Sequence, residues 1–330
     1  MSGKLRWGII ATGGIAHQFA SGLAVSKSGV LHAAASRSLE KATGFTTKHG
    51  GKPYGTYEEI LADPDVDAVY IATPHHLHYE WTIKAAQAGK AILCEKPFTL
   101  NALEAEKALV EVKRYGVFFM EAFMYRCHPQ TLKVKELITS GAIGTVQQIN
   151  AEFGFAAGRD WDNFRADGAL GGGGLMDVGT YCVSFARLMV GEEPTVAHYV
   201  ALISPKGYDE SGAGLLQFPG GAVAHFGTGV HVNLRNDATI YGSEGRIHVP
   251  GPWKCGDGKV VLDRYGKDAE TFDYQSTNDE LYGIEADAVA EFIGQKECAY
   301  MTIQDTIDNM KALDALRKSA GLEFSMEMKA

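Results

Sequence analysis

The chain has 330 residues, of which 45% are hydrophobic and 22% are charged, and its formal net charge is -9. This length exceeds what a single hydrophobic core usually organises, so two domains are expected. The sequence contains no lysine- and arginine-rich run. A nucleic-acid partner is therefore excluded, because binding to a phosphate backbone needs a basic surface.

The cysteine content and the N-terminus indicate a compartment. The five cysteines are odd in number and form no CxxC pair, which fits a reducing environment where thiols serve as small core residues. A strand is predicted almost from the first residue, which leaves no room for a signal peptide, and no apolar run is long enough to span a membrane. We expect a cytoplasmic protein without a membrane partner.

Residues 1–123 alternate between apolar strands and helices. Strands are predicted at LRWGII, VLHAAAS, KPYG, DAVYIAT, AILCE and VFFMEAF, and helices at Gly14–Val25, Leu39–His49, His76–Ala88 and Leu103–Tyr115. Strands that are apolar throughout and alternate with helices are typical of a parallel sheet covered on both faces. We therefore predict an α/β domain of the Rossmann type, with a doubly wound parallel sheet.

The pattern changes in residues 124–330. A helix at Pro129–Thr139 precedes the strand TVQQINAEFGF, and a glycine-rich segment leads into a helix at Leu175–Val190. Six further strands are separated by turn signals such as FPGGAV and GSEGR, which join antiparallel neighbours. The prediction is an α+β domain with a large, mostly antiparallel sheet that is open on one face. This open face predicts a homodimer or homotetramer.

Two helices are predicted near the C-terminus. The segment NDELYGIEADAVAEFI is interpreted as a helix with an ordinary acidic amphipathic face, which carries Glu280 and Glu285. The last helix, Ile303–Ala320, could pack on either domain, and the sequence does not decide between them.

A glycine loop follows the first strand directly. In GIIATGGIAHQFA, Ala11, Gly13 and Ala16 occupy the three small-residue positions of a G-x-G-x-x-G/A fingerprint. The second glycine lets the backbone approach a pyrophosphate, and the N-terminus of the next helix supplies free N–H groups. We expect a dinucleotide to contact Ala11, Thr12, Gly13, Gly14 and Ile15. The alternative is an ordinary tight turn.

The second strand ends at Ser36 and Arg37, where this fold often carries an acid that binds the adenosine ribose. Serine cannot bind two ribose hydroxyls as a carboxylate does, whereas arginine can pair with a 2′-phosphate. The sequence thus predicts NADP as the cofactor, with NAD possible. The alternative is that Ser36 and Ser38 cap the next helix while Arg37 points into solvent.

A lysine stands at the end of the fifth predicted strand. Ligands of a doubly wound sheet lie beyond the carboxyl ends of its strands, and Pro97 restricts the backbone of Lys96. Farther along, Asp177 and Tyr181 are four residues apart and would share one helix face. Burying Asp177 unpaired would be costly, so Lys96 is its candidate partner. The alternative for Tyr181 alone is an ordinary core tyrosine.

The segments GGIA, TPHHLHYEWTIKAAQAGKAILCEKPF, EAFMYRCHPQ and GGGGLMDVGTY together resemble the Gfo/Idh/MocA oxidoreductase family over essentially the whole chain. The chain is most similar to the branch of NADP-dependent D-xylose dehydrogenases and dimeric dihydrodiol dehydrogenases, which carries tyrosine at the position of Tyr181. The resemblance implies a Rossmann domain, a second domain whose open sheet is used in oligomers, and hydride exchange between nicotinamide and a sugar or cyclic-polyol carbon.

The resemblance also implies roles for individual residues. Lys96, Asp177 and Tyr181 match the catalytic and substrate-binding positions. The residues implied to lie beside the nicotinamide are Thr73, Pro74, His78 and Glu95. Those implied to reach back towards cofactor and substrate are Trp161, Phe164 and Arg165; the family often has Trp-Arg where this chain has Phe164 and Arg165. Ala11 departs from the usual glycine.

These positions suggest a mechanism. An ammonium about 4 Å from a phenol stabilises the phenolate by about 4 kcal/mol at an effective dielectric constant of roughly 20. Lys96 is therefore expected to lower the pKa of Tyr181, which would exchange the proton of the substrate hydroxyl. Asp177 would bind another hydroxyl and hold Lys96. An alternative, in which Lys96 itself passes the proton, stays open.

Two other groups of residues carry polar side chains that could form a site. His75, His76 and His78 lack the spacing of a zinc site, and no metal is expected; they would line the cofactor edge or cap a helix. Tyr125 and Arg126 lie at the predicted domain junction, where they could bind substrate hydroxyls. The alternative for them is a role in interdomain salt bridges.

Three functions stay open at this point. The first is a sugar dehydrogenase of the D-xylose type. The second is another reaction on the same scaffold, namely dihydrodiol oxidation, ketosugar reduction or oxidation of a glycoside ring carbon. The third is a non-catalytic nicotinamide-nucleotide sensor, against which the intact set of Lys96, Asp177 and Tyr181 argues.

Overall fold

The computed structural model describes residues 3–158, 161–256 and 258–329. Its first sheet is entirely parallel, in the order β3-β2-β1-β4-β5-β6. The strands are β1 Leu5–Ile10, β2 Gly29–Ala35, β3 Lys52–Tyr54, β4 Ala68–Ile71, β5 Ala91–Glu95 and β6 Phe119–Ala122. The order reverses between β1 and β4, and ligands of such sheets bind beyond the carboxyl ends of the strands at that point.

Five helices connect these strands. They are α1 Gly14–Val25, α2 Leu39–His49, α3 Tyr57–Ala62, α4 His78–Gln87 and α5 Ala102–Tyr115. Helix α3 was not predicted, because its six residues are too few to show a clear helical period. Its start is nevertheless marked by a capping box, in which the side chains of Thr56 and Glu59 bond each other's backbone N–H groups.

The second sheet has eight strands in the order β14-β13-β12-β11-β7-β10-β9-β8, and only β7 and β10 pair in parallel. Its strands are β7 Val146–Gly154, β8 Val196–Ile203, β9 Asp209–Gln217, β10 Val223–Gly229, β11 Asp237–Gly242, β12 Gly245–Pro250, β13 Lys259–Arg264 and β14 Glu270–Asp273. The prediction lacked β14. The predicted fold class, a doubly wound parallel sheet followed by a mostly antiparallel one, is confirmed.

Helices cover one face of the second sheet. Those that pack on β7 and β10 are α8 Thr180–Val190 and the π-helical turn that precedes it, Leu175–Gly179. Two earlier helices, α6 Met124–Cys127 and α7 Pro129–Thr139, pack on other helices, α6 on the later helix at Asn278–Phe292 and α7 on α8. On the other face Val200, Leu202 and Leu215 are exposed, Val200 by 78%. Apolar side chains that are exposed in this way add nothing to the stability of a monomer. The boundary between the two domains, after residue 123, stays a prediction.

The C-terminal helices return to the first sheet. Helix α9, Asn278–Phe292, packs on α1, where a Cβ on Gly22 would lie 2.8 Å from the nitrogen of Gly283. Helix α10, Ile303–Ala320, packs on both α5 and β8, so it contacts both halves of the chain. No helix in the described ranges is long and apolar enough to cross a membrane.

The interpretation of α9 as an ordinary acidic surface helix is wrong for one residue. Glu280 is exposed and completes a capping box with Thr277 at the start of the helix. Glu285 is fully buried, because its position on α9 faces the inside of the protein.

Candidate active site

Two adjoining cavities open at the carboxyl edge of the parallel sheet. The first, of about 960 Å³, lies against the glycine loop after β1, and we call it the loop cavity. The second, of about 690 Å³, reaches towards β7 and α9, and we call it the aromatic cavity. Both are lined by Ile15, Glu95, Lys96 and Arg165, so the two cavities meet at these residues.

The loop cavity collects most of the residues that the sequence analysis assigned to a cofactor. They are Ala11, Thr12, Gly13, Gly14, Ile15, Ser36, Arg37, Thr73, Pro74, Glu95, Lys96 and Arg165. The segments that carry them are far apart in the chain, and the parallel topology brings their ends to one edge.

The glycine loop fits a bound pyrophosphate. Ala11 has a φ of 74°, the left-handed conformation that glycine adopts without strain and that costs alanine about 1–2 kcal/mol. The loop therefore keeps the geometry of the fingerprint despite the substitution. A Cβ on Gly13 or Gly14 would meet no atom within 4 Å, and no side chain caps the N-terminus of α1. The first N–H groups of α1 are thus free for an anion.

The rim of the loop cavity near β2 is cationic. Arg37 is exposed, and Ser36 and Ser38 line the cavity beside it. The Ser38 hydroxyl accepts a hydrogen bond from the backbone N–H of Lys41, so Ser38 caps α2, as one alternative anticipated. Lys41, which was not predicted as a site residue, also lines the cavity. The sequence did contain a signal for Lys41, namely its position in the first turn of a helix that begins after the capping Ser38.

His78 does not reach the loop cavity, contrary to its predicted place beside the nicotinamide. It is fully buried, its Nε2 lies 2.8 Å from the carbonyl oxygen of Thr73, and its Nδ1 lies 3.0 Å from that of Pro97. Burial lowers the pKa of His78 to about 4. The ring therefore connects the segments that follow β4 and β5. His75 and His76 line the cavity instead.

Lys96 and Asp177 meet at the junction of the two cavities. The ammonium of Lys96 donates to the backbone carbonyl of Asp177 at 2.8 Å and lies 3.2 Å from Oδ1 of its side chain. Nε of Arg165 donates to the same Oδ1 at 2.8 Å. Burial alone would raise the pKa of Asp177, but the charges of Arg165 and Lys96 lower it well below its usual range. Asp177 is an ionised carboxylate shared by two cations.

The glycine run before Asp177 sets the position of this carboxylate. Gly173 has a φ of 112°, and a Cβ on Gly174 would lie 2.8 Å from the Cα of Gly229 on β10. The π-helical turn therefore starts in direct contact with the second sheet. Asp209, which the sequence analysis did not single out, accepts a hydrogen bond from the first N–H of this turn, that of Leu175, at 2.7 Å.

Tyr181 lies beside this cluster without a hydrogen bond to Lys96. The Lys96 nitrogen is 5.1 Å from the centre of the Tyr181 ring, and the phenol donates to the sulfur of Met124 at 3.3 Å. Burial, followed by nearby groups such as Glu95, raises the pKa of Tyr181 well above its ordinary value. The expected lowering by Lys96 is wrong for the free protein, because the phenol is buried and Lys96, which pairs with Asp177, does not bond it. The phenol is therefore protonated at neutral pH.

Glu95 connects the cluster to the first sheet. It is buried and accepts hydrogen bonds from the Tyr70 hydroxyl and from the backbone N–H of Lys96, the latter at 3.3 Å. Burial raises its pKa, although Lys96 acts in the opposite direction. Glu95 therefore borders both cavities while its buried carboxyl group stays bonded to Tyr70 and to the backbone of Lys96.

Aromatic rings form much of the remaining wall of the aromatic cavity. Trp161, Tyr181 and Tyr282 contribute to it, and Phe153 stacks on Trp253 with ring centres 5.6 Å apart. Of these, Phe153, Trp253 and Tyr282 were missed, because strand, turn and late-helix aromatics are indistinguishable from core residues in the sequence.

Two predicted substrate contacts do not line this cavity. Tyr125 is fully buried and its hydroxyl bonds that of Ser184 at 2.8 Å. Arg126 is also buried and pairs with Asp305 of α10. The structure therefore agrees with neither expectation: α6 turns these side chains inward, and the Arg126–Asp305 ion pair lies within residues 124–330 and does not join the two predicted domains.

Two family models match the chain in succession. The model for the oxidoreductase family with an NAD-binding Rossmann fold matches residues 5–123, and that for the GFO/IDH/MocA C-terminal domain matches residues 131–248. Trans-1,2-dihydrobenzene-1,2-diol dehydrogenase from Mus musculus is 34% identical over 337 residues, which cover 98% of this chain and 99% of the relative. An uncharacterized oxidoreductase from Rhizobium meliloti is also 34% identical, with 96% and 97% covered.

Solved structures give the same result. A 3-ketoreductase from Actinomadura kijaniata, crystallised with NADP, superposes with a TM-score of 0.86 at 28% identity, covering 96% of this chain and 98% of the other. The aldose-aldose oxidoreductase from Caulobacter crescentus reaches a TM-score of 0.88 at 26% identity with the same coverage. These matches confirm the resemblance, the enzyme class and the nicotinamide cofactor. The chain belongs to the Gfo/Idh/MocA family and is an NAD(P)-dependent oxidoreductase.

Proposed function

We propose that the protein transfers a hydride between NADP and a hydroxyl-bearing carbon of a sugar, as an aldose dehydrogenase of the D-xylose type. The observation that carries the proposal is the buried cluster of Lys96, Asp177 and Arg165 beside Tyr181, where the loop cavity meets the aromatic cavity. A bound nicotinamide dinucleotide supplies the hydride acceptor or donor.

The residues around the reacting carbon have distinct tasks in this proposal. Asp177, held ionised by two cations, accepts a hydrogen bond from a substrate hydroxyl. Lys96 directs its positive charge at the oxygen of the reacting carbon, where negative charge develops. Tyr181 exchanges the proton of that oxygen.

The protonation state of Tyr181 determines whether the residue assists reduction or oxidation. A protonated phenol is ready to donate to the oxygen of a carbonyl, so it suits reduction at neutral pH. Oxidation needs the opposite transfer and therefore gains from a rising pH.

For the cofactor, the proposal is NADP in preference to NAD. The support is the pair of cations, Arg37 and Lys41, with the Ser36 and Ser38 hydroxyls at the rim of the loop cavity. A 2′-phosphate at this rim would gain charge-assisted hydrogen bonds, whereas an NAD ribose would leave both cations without a partner.

A second candidate is oxidation of cyclic trans-diols, the reaction named for several relatives. The aromatic wall around Phe153 and Trp253 favours it, because these rings offer a flat apolar surface to an unsaturated ring. A sugar presents its C–H faces to the same wall, with Asp177 for its hydroxyls.

The open face of the second sheet supports a homodimer or homotetramer. Val200, Leu202 and Leu215 lie together on this face, opposite Tyr199, whose N–H bonds Ser319 of α10. A second copy of the chain would cover them.

The test is a substrate panel read through the absorbance of the reduced cofactor. Purified protein is assayed with NADP and D-xylose, other aldoses, cyclic trans-diols and a glycoside, and in reverse with ketosugars. We expect D-xylose or a related aldose to have the highest kcat/KM. A preference for diols would establish the second candidate instead. Tight cofactor binding with no turnover of any member would contradict both.

A further inference from the structure

Asp209 is a buried acid that bonds the turn carrying Asp177. It stands at the start of β9 and is 1% exposed. Its Oδ2 accepts hydrogen bonds from the backbone N–H of Leu175 at 2.7 Å and from the Tyr199 hydroxyl at 2.6 Å. The backbone N–H of Gly174 also interacts with this carboxyl. The acid therefore serves the first N–H groups of the π-helical turn, which have no partner within the turn itself.

Two glycines leave room for this carboxyl and for its phenol partner. A Cβ on Gly173 would clash with Oδ1 of Asp209, and a Cβ on Gly212 of β9 would clash with the Tyr199 hydroxyl. Gly173 also has a φ of 112°, which residues with a side chain rarely adopt. The backbone at both places is thus shaped around the contact between Asp209 and the turn.

A second anchor holds the same turn from the neighbouring strand. The hydroxyl of Thr228 on β10 donates to the carbonyl oxygen of Gly174 at 2.8 Å. Within the turn, the backbone N–H of Asp177 donates to the carbonyl oxygen of Gly173 at 3.0 Å. The start of the turn is therefore fixed to the second sheet through both an N–H group and a carbonyl group.

The turn is also what holds the ammonium of Lys96. This ammonium bonds the main-chain carbonyl of Asp177 at 2.8 Å and lies 3.2 Å from its side-chain Oδ1. A displacement of the turn would therefore move the ammonium and the carboxylate together. In the proposed reaction both groups face the substrate, and a misplacement of about 1 Å in such a site costs up to about 100-fold in rate.

We propose that Asp209 is a positioning residue for hydride transfer, which fixes the π-helical turn so that Asp177 and Lys96 meet the substrate in one geometry. Asp209 does not occur among the described residues that line the loop cavity or the aromatic cavity. It acts through the main chain of the turn and touches neither substrate nor cofactor. The inference rests on the proposed dehydrogenase function.

The test compares Asp209→Ala with Asp63→Ala as a matched control. Asp63 is also buried, and it accepts hydrogen bonds from the Tyr54 hydroxyl at 2.7 Å and from the backbone N–H of Asp65 at 2.8 Å. It lines neither cavity. Both variants should be less stable than the wild type in urea. Only Asp209→Ala should lose kcat, by about 10-fold to 100-fold, with the NADP Kd within about twofold of the wild type.

The assays are run at about pH 8, where the acid is ionised. Burial raises the pKa of Asp209 to about 7, although the hydrogen bond from Tyr199 acts in the opposite direction. Unchanged kcat in Asp209→Ala would overturn the proposal. An equal loss of kcat in Asp63→Ala would also overturn it, because the loss would then follow from reduced stability alone.

The Lys96→Ala background shows whether Asp209 acts through the turn. Once the ammonium is gone, adding Asp209→Ala should lower the single-turnover rate by no more than about threefold further, because coupled residues do not have additive effects. A further loss as large as in the wild-type background would overturn the proposal.

If Asp209→Ala does not fold, Tyr199→Phe removes one hydrogen bond of the carboxyl and leaves the acid in place. This variant should lower kcat by about threefold to 10-fold, and by less in the Lys96→Ala background. Unchanged kcat would again overturn the proposal. Tight NADP binding without turnover by the wild type would instead contradict the proposed function.

Discussion

Removing the charge of Asp177 tests the central cluster of the site. In Asp177→Asn the side chain keeps its shape, but Lys96 and Arg165 lose the carboxylate that lies 3.2 Å from one nitrogen and 2.8 Å from the other. At an effective dielectric constant of roughly 20, these two attractions amount to about 5 and about 6 kcal/mol. Desolvation of the three groups offsets much of this energy. Breaking a buried ion pair by removing one partner costs about 3–5 kcal/mol.

The expected result is therefore a loss of about 3–5 kcal/mol in the free energy of unfolding. It is measured by urea denaturation followed by tryptophan fluorescence at pH 7, with Asp268→Asn, an exposed acid in a turn, as the control. The control should change stability by about 0.5 kcal/mol or less. Turnover should also fall, because two uncompensated cations would no longer be held in place.

The pH dependence gives an independent check. The folded-state pKa of Asp177 is depressed, so its stabilisation is present above the unfolded pKa, about 3.9, and is lost as the pH falls through the lower folded value. The wild type should thus lose stability below about pH 4, and Asp177→Asn should lack this component. A variant as stable as the wild type, with the same acid unfolding curve, would refute the arrangement in which Lys96 and Arg165 share the carboxylate of Asp177.

Three further outcomes are expected. Tyr181→Phe should lower kcat by about 100-fold or more while leaving the NADP Kd unchanged, and near-normal turnover of this variant in stopped-flow assays would exclude a proton-transfer role for Tyr181. In the wild type, the rate of oxidation should rise and the rate of reduction should fall as the pH increases. Arg37→Asp should reduce the NADP/NAD ratio of kcat/KM by about 10-fold or more, with Lys48→Asp as the control, and an unchanged ratio would contradict the cofactor proposal. Leu215→Asp on the open sheet face should lower the mass measured by light scattering to that of one chain, whereas a wild type that is already monomeric would remove the oligomer proposal.

The sequence was sufficient for the architecture because it depends on local periodicity. Apolar strands alternating with helices predicted the parallel sheet, and turn-separated strands predicted the antiparallel one. The same local reasoning located Lys96 at the end of β5 and placed Asp177 and Tyr181 one turn apart. It also located the glycine loop, although only the structure revealed that Ala11 adopts the left-handed conformation.

What the sequence alone determined is therefore the order of elements and which residues stand at strand ends, because these follow from spacing along the chain. Only the tertiary structure decided which charges meet. It gave Asp177 a second cation, Arg165, left Tyr181 protonated, turned Arg126 inward to Asp305 and buried Glu285 beneath the site. Each of these outcomes depends on desolvation and on neighbours distant in sequence, and a local sequence pattern encodes neither of these two causes.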